Sequence, residues 1–516
     1  MAESIPNINN LTVLILAAGY GRRMGPFSRM VNKALVPYGT KPLISHIIDK
    51  FNVGTKFVVA CGNMGQQVKD YVSTVHAEKN ITFVDIPEFD EGSTGPATTI
   101  RYCKKYLTSG FLWISCDTLY EFDFSNLLDN NWIGVHPVDS NVSQDYCWVE
   151  RNADNITKIR NKEHSTQAVS AFIGLMYAKD DTFINNLDNV NATEVYQGFN
   201  DNLNLKAYDV SEWKDFGTYE KWKSLTESLP EISFPKPDEL FYSDNNKIVK
   251  YTTNPFLAKS KFDRAQLNKE CLPTNIEHKG NFLFYDIADG ETFYNCLTPG
   301  TFSKFLEWTE KSLWKDAPVS EHTFSITEDF YHKKTLDRLD KFRTKYNEWV
   351  EFSVVNGVDV KSINEYINDI DFEMLCNKTC WKFTHGDMQF DNIIFNEKTG
   401  IFTAIDWRTD FAGDMYGDIY YDLAKMLGGL YLSYKLVKEH RLEYTEFDSA
   451  VLINIPSVDS VDTYVSVLED FVISKGLDWK KVQTLVPIIY LNMAPLHDSP
   501  FDKYLIALAQ LFFSRL

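Results

Sequence analysis

Apolar runs at residues 11–17, 56–61, 81–86 and 111–116 set the rhythm of the first part of the chain. Each has the length of a strand and is apolar throughout rather than alternating, as expected for strands covered on both faces of a parallel sheet. Helices are predicted between them. One lies at 42–50, where Pro42 suits a first turn because its missing N–H costs nothing there. Others lie at 66–76 and through 101–106, the last opened by a Gly-rich turn at 91–97. Strand alternating with helix predicts an α/β domain. The pattern stops at 229–240, where three prolines among polar residues predict a linker. Beyond it, strands are expected at 247–250, 393–395 and 401–405 and a helix at 264–270. The expected division is a first domain at 1–228, a linker at 229–240 and a second domain at 241–516.

Chemistry gathers where the first strand ends. Gly19 and Gly21 let the backbone turn tightly and leave successive N–H groups free to face phosphate oxygens. Arg22, Arg23 and Lys33 add positive charge, a guanidinium gripping phosphate bidentately and an ammonium acting as a point charge. Any tight strand-to-helix turn can use two glycines, so the basic residues carry the phosphate reading. The run at 111–116 ends on Asp117, a carboxylate at the C-terminal end of a parallel strand, where ligands bind in open α/β sheets. It is a natural Mg²⁺ ligand, and a turn or helix cap is the competing reading. The turn at 91–97, with Gly92 and Ser93, suits the edge of a nucleobase or serves as a plain turn.

Composition narrows the class. A chain of 516 residues with 44% hydrophobic residues forms two or three domains with sizeable cores. The net charge of −19 argues against a general nucleic-acid or membrane-surface binder, because both targets repel an acidic surface, and leaves room for local basic pockets. Eight cysteines without a CxxC pair suit free thiols in a reducing cytoplasm. The run at 11–18 is short, lacks a preceding basic region and reads better as a strand than as a signal sequence. The apolar stretch at 485–516 is interrupted by Pro495, His497, Asp498, Pro500, Asp502 and Lys503 and is not expected to insert in a bilayer.

The segment LAAGYGRRM at 16–24, followed by Asn32-Lys33-Ala34-Leu35 and Gly39-Thr40-Lys41-Pro42-Leu43, resembles the entry motif of the nucleoside-diphosphate-sugar pyrophosphorylases, the sugar-1-phosphate nucleotidyltransferases. The resemblance covers about residues 10–227 and implies a Rossmann-like fold. It gives nucleotide binding to Ala17, Ala18, Gly19, Gly21 and Arg22, the departing pyrophosphate to Arg23, and the place between the two phosphate groups to Lys33. Gly92 and Ser93 take the base. Trp213-Lys214-Asp215-Phe216-Gly217-Thr218 resembles the family's W-x-D-x-G-T segment, which makes Asp215 the second Mg²⁺ carboxylate beside Asp117. Lys162 takes the acceptor phosphate. Asn161, before it, stands where the family usually has a sugar-binding Glu.

The second domain carries a denser constellation. His385, Asp387 and Asn392 reproduce the H-x-D-x-x-x-x-N spacing of a kinase catalytic loop, and Asp406 follows between apolar runs. Asp387 would accept or orient the proton of an attacking hydroxyl, while Asn392 and Asp406 converge on Mg²⁺ at the ATP phosphates. With Gly417-Asp418 and Tyr421-Asp422-Leu423-Ala424, the domain resembles the aminoglycoside phosphotransferase and choline kinase family. That resemblance implies an α+β bilobal protein-kinase-like fold, with a small lobe at about 241–300 and a larger one at about 301–516. It makes Lys250 the ATP-phosphate lysine, Glu270 its partner, and 280–286 the approach to the adenine hinge. The turn at 243–246 lacks the glycines of a phosphate-covering loop.

Together these readings describe a bifunctional enzyme. One half phosphorylates a small hydroxyl compound, a sugar at its anomeric hydroxyl, with ATP; the other joins that phosphate to a nucleotide from a second NTP, with Mg²⁺ in both. The product is an activated precursor for a cell-surface glycan. The partners are small molecules, and a homo-oligomer is compatible with the sequence. Choline, ethanolamine or another small alcohol is the alternative acceptor, since Gln389 matches H-x-D-x-Q and Trp381, Trp407, Tyr416, Tyr420 and Tyr421 form either an aromatic cage for a cation or ordinary packing. A third reading makes one half a regulatory domain.

Overall fold

A computed structural model describes residues 11–87, 95–107, 110–123, 125–190, 192–200, 203–229, 238–318, 321–346 and 350–516. The chain divides into two compact units, Met1–Pro255 with His278–Phe284, and Phe256–Glu277 with Tyr285–Leu516. The division therefore differs from the one expected at 229–240, where 230–237 lie outside the described residues.

The first unit contains strands β1 (Thr12–Ala17), β2 (Lys56–Cys61), β3 (Asn80–Asp85), β4 (Phe111–Ser115), β5 (Thr118–Glu121), β6 (Trp132–Val138), β7 (Cys147–Asn152), β8 (Asn155–Asn161), β9 (Val169–Ala178), β10 (Lys206–Asp209) and β11 (Glu212–Asp215). A nine-stranded sheet runs in the order β3-β2-β1-β4-β9-β6-β10-β8-β7. The strands β3-β2-β1-β4 are parallel, and β9 joins β4 antiparallel. These first four are the apolar runs of the sequence. Helices α1 (Leu43–Ile48) and α2 (Gly65–Val75) cover one face, and α3 (Pro96–Cys103) the other. Val13, Ile15 and Ala17 of β1 enter the core shared with α1 and α2, while Leu14 enters the core shared with α3. Burial on both faces is why β1 shows no alternation. The unit is a Rossmann-like α/β fold, and helix α4 (Tyr219–Thr226) closes it beside β11.

The strands β12 (Glu239–Asp244), β13 (Lys247–Thr252), β14 (Glu277–Lys279) and β15 (Phe282–Asp286) form a separate sheet in the order β12-β13-β15-β14. Tyr242, Val249, Tyr251, Phe282 and Phe284 are buried in one core with Val68, Tyr71 and Val72 of α2. That shared core is the physical reason the sheet belongs to the first unit. The turn at 243–246 seals it. The buried Asp244 accepts from the Tyr71 hydroxyl at 3.0 Å and pairs with Lys41 at 3.0 Å, and Asn245 donates to the Val75 carbonyl at 3.2 Å. Tyr242 donates to the Leu35 carbonyl at 2.7 Å.

The second unit is mainly helical. The helix expected at 264–270 runs instead over Pro255–Ala265 (α5). It stops because Asn268 turns its amide to the Ser312 and Leu313 carbonyls at 3.0 and 2.9 Å, which leaves Glu270 in a short 3₁₀ turn. A π-helical segment, Asp329–Lys333, leads into α6 (Lys334–Tyr346). The hairpin β16 (Ile393–Asn396) and β17 (Ile401–Ala404) matches the two expected strands. Helix α7 (Ile419–Tyr431) is buried from Ile419 to Leu430 and packs on α8 (Trp479–Met493), which packs on α9 (Phe501–Phe513). No helix among the described residues is long and apolar enough to cross a membrane.

Candidate functional site

A cavity of about 910 Å³ opens at the C-terminal ends of β1 and β4, lined by Ala17, Ala18, Gly19, Gly21, Arg22, Arg23, Lys33, Asp117 and Asp215. Gly21 has φ +61°, and a Cβ there would stand 3.2 Å from Cβ of Lys33, so glycine lets the loop fold onto the lysine. Asn32 sets that lysine's position from a buried site. Its amide donates to the Ala17 and Asn63 carbonyls at 2.9 and 2.6 Å, and its oxygen accepts the Ala34 N–H at 2.9 Å.

Lys33 then pairs with Asp117, whose other oxygen accepts the Ser115 hydroxyl. Burial by itself would lower the Lys33 pKa, but the charge and hydrogen bond of Asp117 together with the neighbouring Cys116 outweigh it and hold the ammonium above its ordinary value. Burial likewise works to raise the Asp117 pKa, and the charge of Lys33 with the two hydrogen bonds brings it down to about 2. Strand pairing supplies the second carboxylate. Asp215 of β11 stands opposite Thr118 of β5, and the Phe216 N–H donates to the Asp117 carbonyl at 2.9 Å. Asp215 accepts from the Tyr146 hydroxyl at 2.8 Å, Lys221 at 2.6 Å and the Gly217 N–H at 2.7 Å. Two carboxylates lining one cavity fit Mg²⁺, which takes few protein ligands. Among the described residues, no three His, Cys, Asp or Glu gather in metal-holding geometry.

Lys162 is not among the cavity's lining residues. Its side chain is exposed, and its backbone N–H donates to the Tyr146 carbonyl at 3.0 Å. The cation beside Asp215 is Lys221, which the sequence reading missed, as it missed Tyr146, Trp113 and Phe172 on the cavity wall. A signal for Lys221 existed. Thr218 caps α4, so a lysine three residues later turns back toward the strand end. Gly92 and Ser93 lie outside the described residues, while Gly95 and Pro96 do line the cavity.

In the second unit the hairpin does the assembling. The register Ile393 to Ala404 puts Asn392 beside Ile405, whose N–H donates to the Asn392 carbonyl at 2.8 Å, so Asp406 follows directly from that pair. Asn392 donates to the Asp387 carbonyl at 2.9 Å. His385 is buried. It accepts the Asp387 N–H on Nδ1 at 3.2 Å, and its Nε2 lies 2.8 Å from the Ile405 carbonyl, which assigns the proton to Nε2. Burial lowers its pKa and keeps it neutral. Asp422 accepts the His385 and Gly386 N–H groups at 2.8 and 2.7 Å and the Trp314 indole at 3.0 Å. Asp387 pairs with the buried Lys425 at 2.8 Å; burial works to raise its pKa, and the charge and hydrogen bond of Lys425 with the nearby His385 together outweigh it and hold the carboxyl below its ordinary value.

Asp406, at φ +57°, pairs with Lys261 of α5 at 2.8 Å, a cation not expected from the sequence. Glu270 is 84% exposed and faces Lys315 at 3.9 Å. Lys250 lies on β13 in the first unit. Of the aromatic side chains expected as a cage, Trp407, Tyr420 and Tyr421 are buried in packing, Tyr421 meeting Phe330 edge-on at 4.8 Å, while Trp381 and Tyr416 are half-buried.

Residues 13–130 match the family model described as the MobA-like NTP transferase domain. The bifunctional protein GlmU of Methanococcus vannielii is 26% identical over 165 residues, 31% of this chain and 38% of that protein. The mannose-1-phosphate guanyltransferase of Saccharomyces cerevisiae is 32% identical over 122 residues, 22% of this chain and 33% of that protein. A solved UDP-glucose pyrophosphorylase from Acinetobacter baumannii aligns with TM-score 0.36 and 14% identity, over 42% of this chain and 92% of that chain. The chain thus spans 38% and 33% of the length of these two curated relatives.

Proposed function

We propose that the chain makes a nucleotide-activated hydroxyl compound in two steps, phosphorylation in the second unit and nucleotidyl transfer in the first. The observation that carries the reading is the cavity at the ends of β1 and β4, where a glycine loop, Arg22, Arg23 and Lys33 face Asp117 and Asp215. In the first step an acceptor hydroxyl oxygen bonds to the γ-phosphorus of ATP, the bond to the β–γ bridging oxygen breaks, ADP leaves, and Asp387 orients the hydroxyl and takes its proton. In the second, an oxygen of the new phosphate bonds to the α-phosphorus of an NTP, the α–β bridging bond breaks, and pyrophosphate leaves toward Arg23. When bound at these carboxylates, Mg²⁺ would neutralise phosphate charge. Lys33 and Arg23 act by alignment and charge. Lys221 beside Asp215 suits the acceptor phosphate better than Lys162.

A sugar 1-phosphate is the acceptor this reading favours, since the N-terminal relatives include a mannose-1-phosphate guanyltransferase. The test is product mass after incubating the full chain with ATP, each NTP and a panel of sugars and amino alcohols. A nucleotide-linked product requiring both ATP and one NTP is the expected result. Nucleotidyl transfer without any ATP-dependent phosphorylation would remove the kinase half of the reading.

A further inference from the structure

The proposed phosphotransfer centre of the second unit is bordered by cations, some paired with its carboxylates and three, Lys334, Arg338 and Arg408, without a carboxylate partner among the described residues. Lys425 engages the only carboxylate at the catalytic-loop position, Asp387, at 2.8 Å. Arg408 lies against the same loop. Gly386 has φ +80°, and a Cβ there would stand 2.6 Å from Cδ of Arg408, so the glycine makes room for that side chain beside Asp387. Arg408 donates from Nε only to the Asp410 backbone carbonyl, at 3.3 Å, while the Asp410 carboxylate is taken by the Thr409 hydroxyl and the Gly413 N–H. On the other side stands Phe330, within the π-helical segment before α6. The Arg408 guanidinium lies 5.1 Å and the Lys334 ammonium 3.6 Å from its ring centroid. Arg338, one turn along α6 from Lys334, completes the group.

Among the described residues neither Lys334 nor Arg338 has a carboxylate partner. Burial, reinforced by the charges of Arg408, Arg338 and Lys425, drives the Lys334 pKa well down, and burial with Arg408 lowers that of Arg338. A cation–π contact offsets only part of the cost of taking an ammonium out of water. A protein that held these charges for packing alone would do better with apolar residues of similar size. At the Asp406 side of the centre, the cation Lys261 pairs with Asp406 at 2.8 Å.

We infer that Lys334, Arg338 and Arg408 form an anion subsite for the acceptor, so that the hydroxyl compound phosphorylated here carries a carboxylate or a phosphate of its own. This rests on the kinase reading above. It rejects the quaternary-ammonium acceptor, because Tyr421 of the expected cage already receives Lys334, and Trp407 and Tyr420 of that cage are buried in packing.

The full chain is assayed for ADP formation with Mg·ATP and matched acceptors: glycerate against glycerol and choline, and hexose phosphates and uronic acids against the parent sugars. The expected result is a kcat/KM at least tenfold higher for the anionic member of a set. Lys334→Met and Arg338→Gln should each raise the KM for that acceptor at least tenfold, leave the KM for ATP within twofold, and leave Tm unchanged or higher, since each removes an uncompensated charge. Lys334→Arg should retain more activity than Lys334→Met. Preference for neutral or cationic acceptors by a chain that turns over Mg·ATP overturns the anion subsite alone, and so does an ATP KM that moves with the acceptor KM. A chain that neither binds Mg·ATP by calorimetry nor forms ADP with any acceptor overturns the kinase reading itself, and the subsite with it.

Discussion

At the corner of the N-terminal cavity, Asp117 and Asp215 each share their oxygens with a lysine, Lys33 and Lys221. Replacing either carboxylate by Asn keeps the shape and removes the proposed metal ligand together with the lysine's partner. Asp117→Asn and Asp215→Asn are expected to lower pyrophosphate release at least about 10²-fold, the scale of losing one preorganised charged group. ATP-dependent phosphorylation should be unchanged; separate assays for pyrophosphate and ADP check this, and undiminished pyrophosphate release contradicts the metal assignment. Lys221→Met should raise the KM for the phosphorylated acceptor more than Lys162→Met does. Asp117 was legible in the sequence because a strand end is a local feature. Lys221 was not singled out, because its reach to Asp215 depends on how α4 leaves β11. A second residue-level test concerns His497, whose pKa burial pushes down to about 4. The unfolded chain takes up this proton near 6.5 and the folded chain only near 4, so the associated stability is complete above 6.5 and lost as pH falls toward 4. The gap corresponds to roughly 3 kcal/mol. His497→Gln should shrink the drop in urea midpoint between pH 7 and pH 4.5; an unchanged drop means that His497 does not carry it.

Elements, rather than single residues, bring the second site together. Arg264 of α5 is buried and donates to four backbone carbonyls: Met415 at 2.8 Å, Arg408 at 2.9 Å, Thr384 at 2.6 Å and His385 at 3.4 Å. It therefore joins the segment before Asp387 to the segment after Asp406, and acts as a positioning residue. Arg264→Met leaves those carbonyls buried without a donor and should cost roughly 3 kcal/mol or more. The expected reading is a lowered denaturation midpoint together with weaker use of Mg·ATP. A stable protein with wild-type ATP kinetics contradicts this role. Nothing in the local pattern marks Arg264, because a basic residue near a helix end is ordinarily exposed and solvated. The β16–β17 hairpin was readable from its two apolar runs, and its register then explains why Asn392 and Asp406 meet.

Over the whole molecule, the sheet β12–β15 tests the division of the chain. Tyr242 is fully buried against Tyr71, at 5.4 Å between ring centroids, and bonds the Leu35 carbonyl. Tyr242→Ala should cost roughly 3–5 kcal/mol by opening that core, and it should lower the thermal midpoint of nucleotidyl transfer. A fragment ending at 228 loses Tyr242, Val249 and Tyr251 from the core and should aggregate. A monomeric, active 1–228 fragment would restore the boundary read from the prolines.

What the sequence by itself determined are the features whose cause is local: the four apolar strands, whose two-sided burial leaves no alternation, the glycine turn with its basic residues, and the spacing of Asp387, Asn392 and Asp406. The tertiary structure decided what depends on segments distant in the chain. It alone seats β12–β15 on α2, turns Lys221 rather than Lys162 toward Asp215, and gathers Lys334 and Arg408 at Phe330. The physical reason is that strand and turn preferences are written in neighbouring residues, whereas a packed face or a shared charge cluster is set by which surfaces exclude water together.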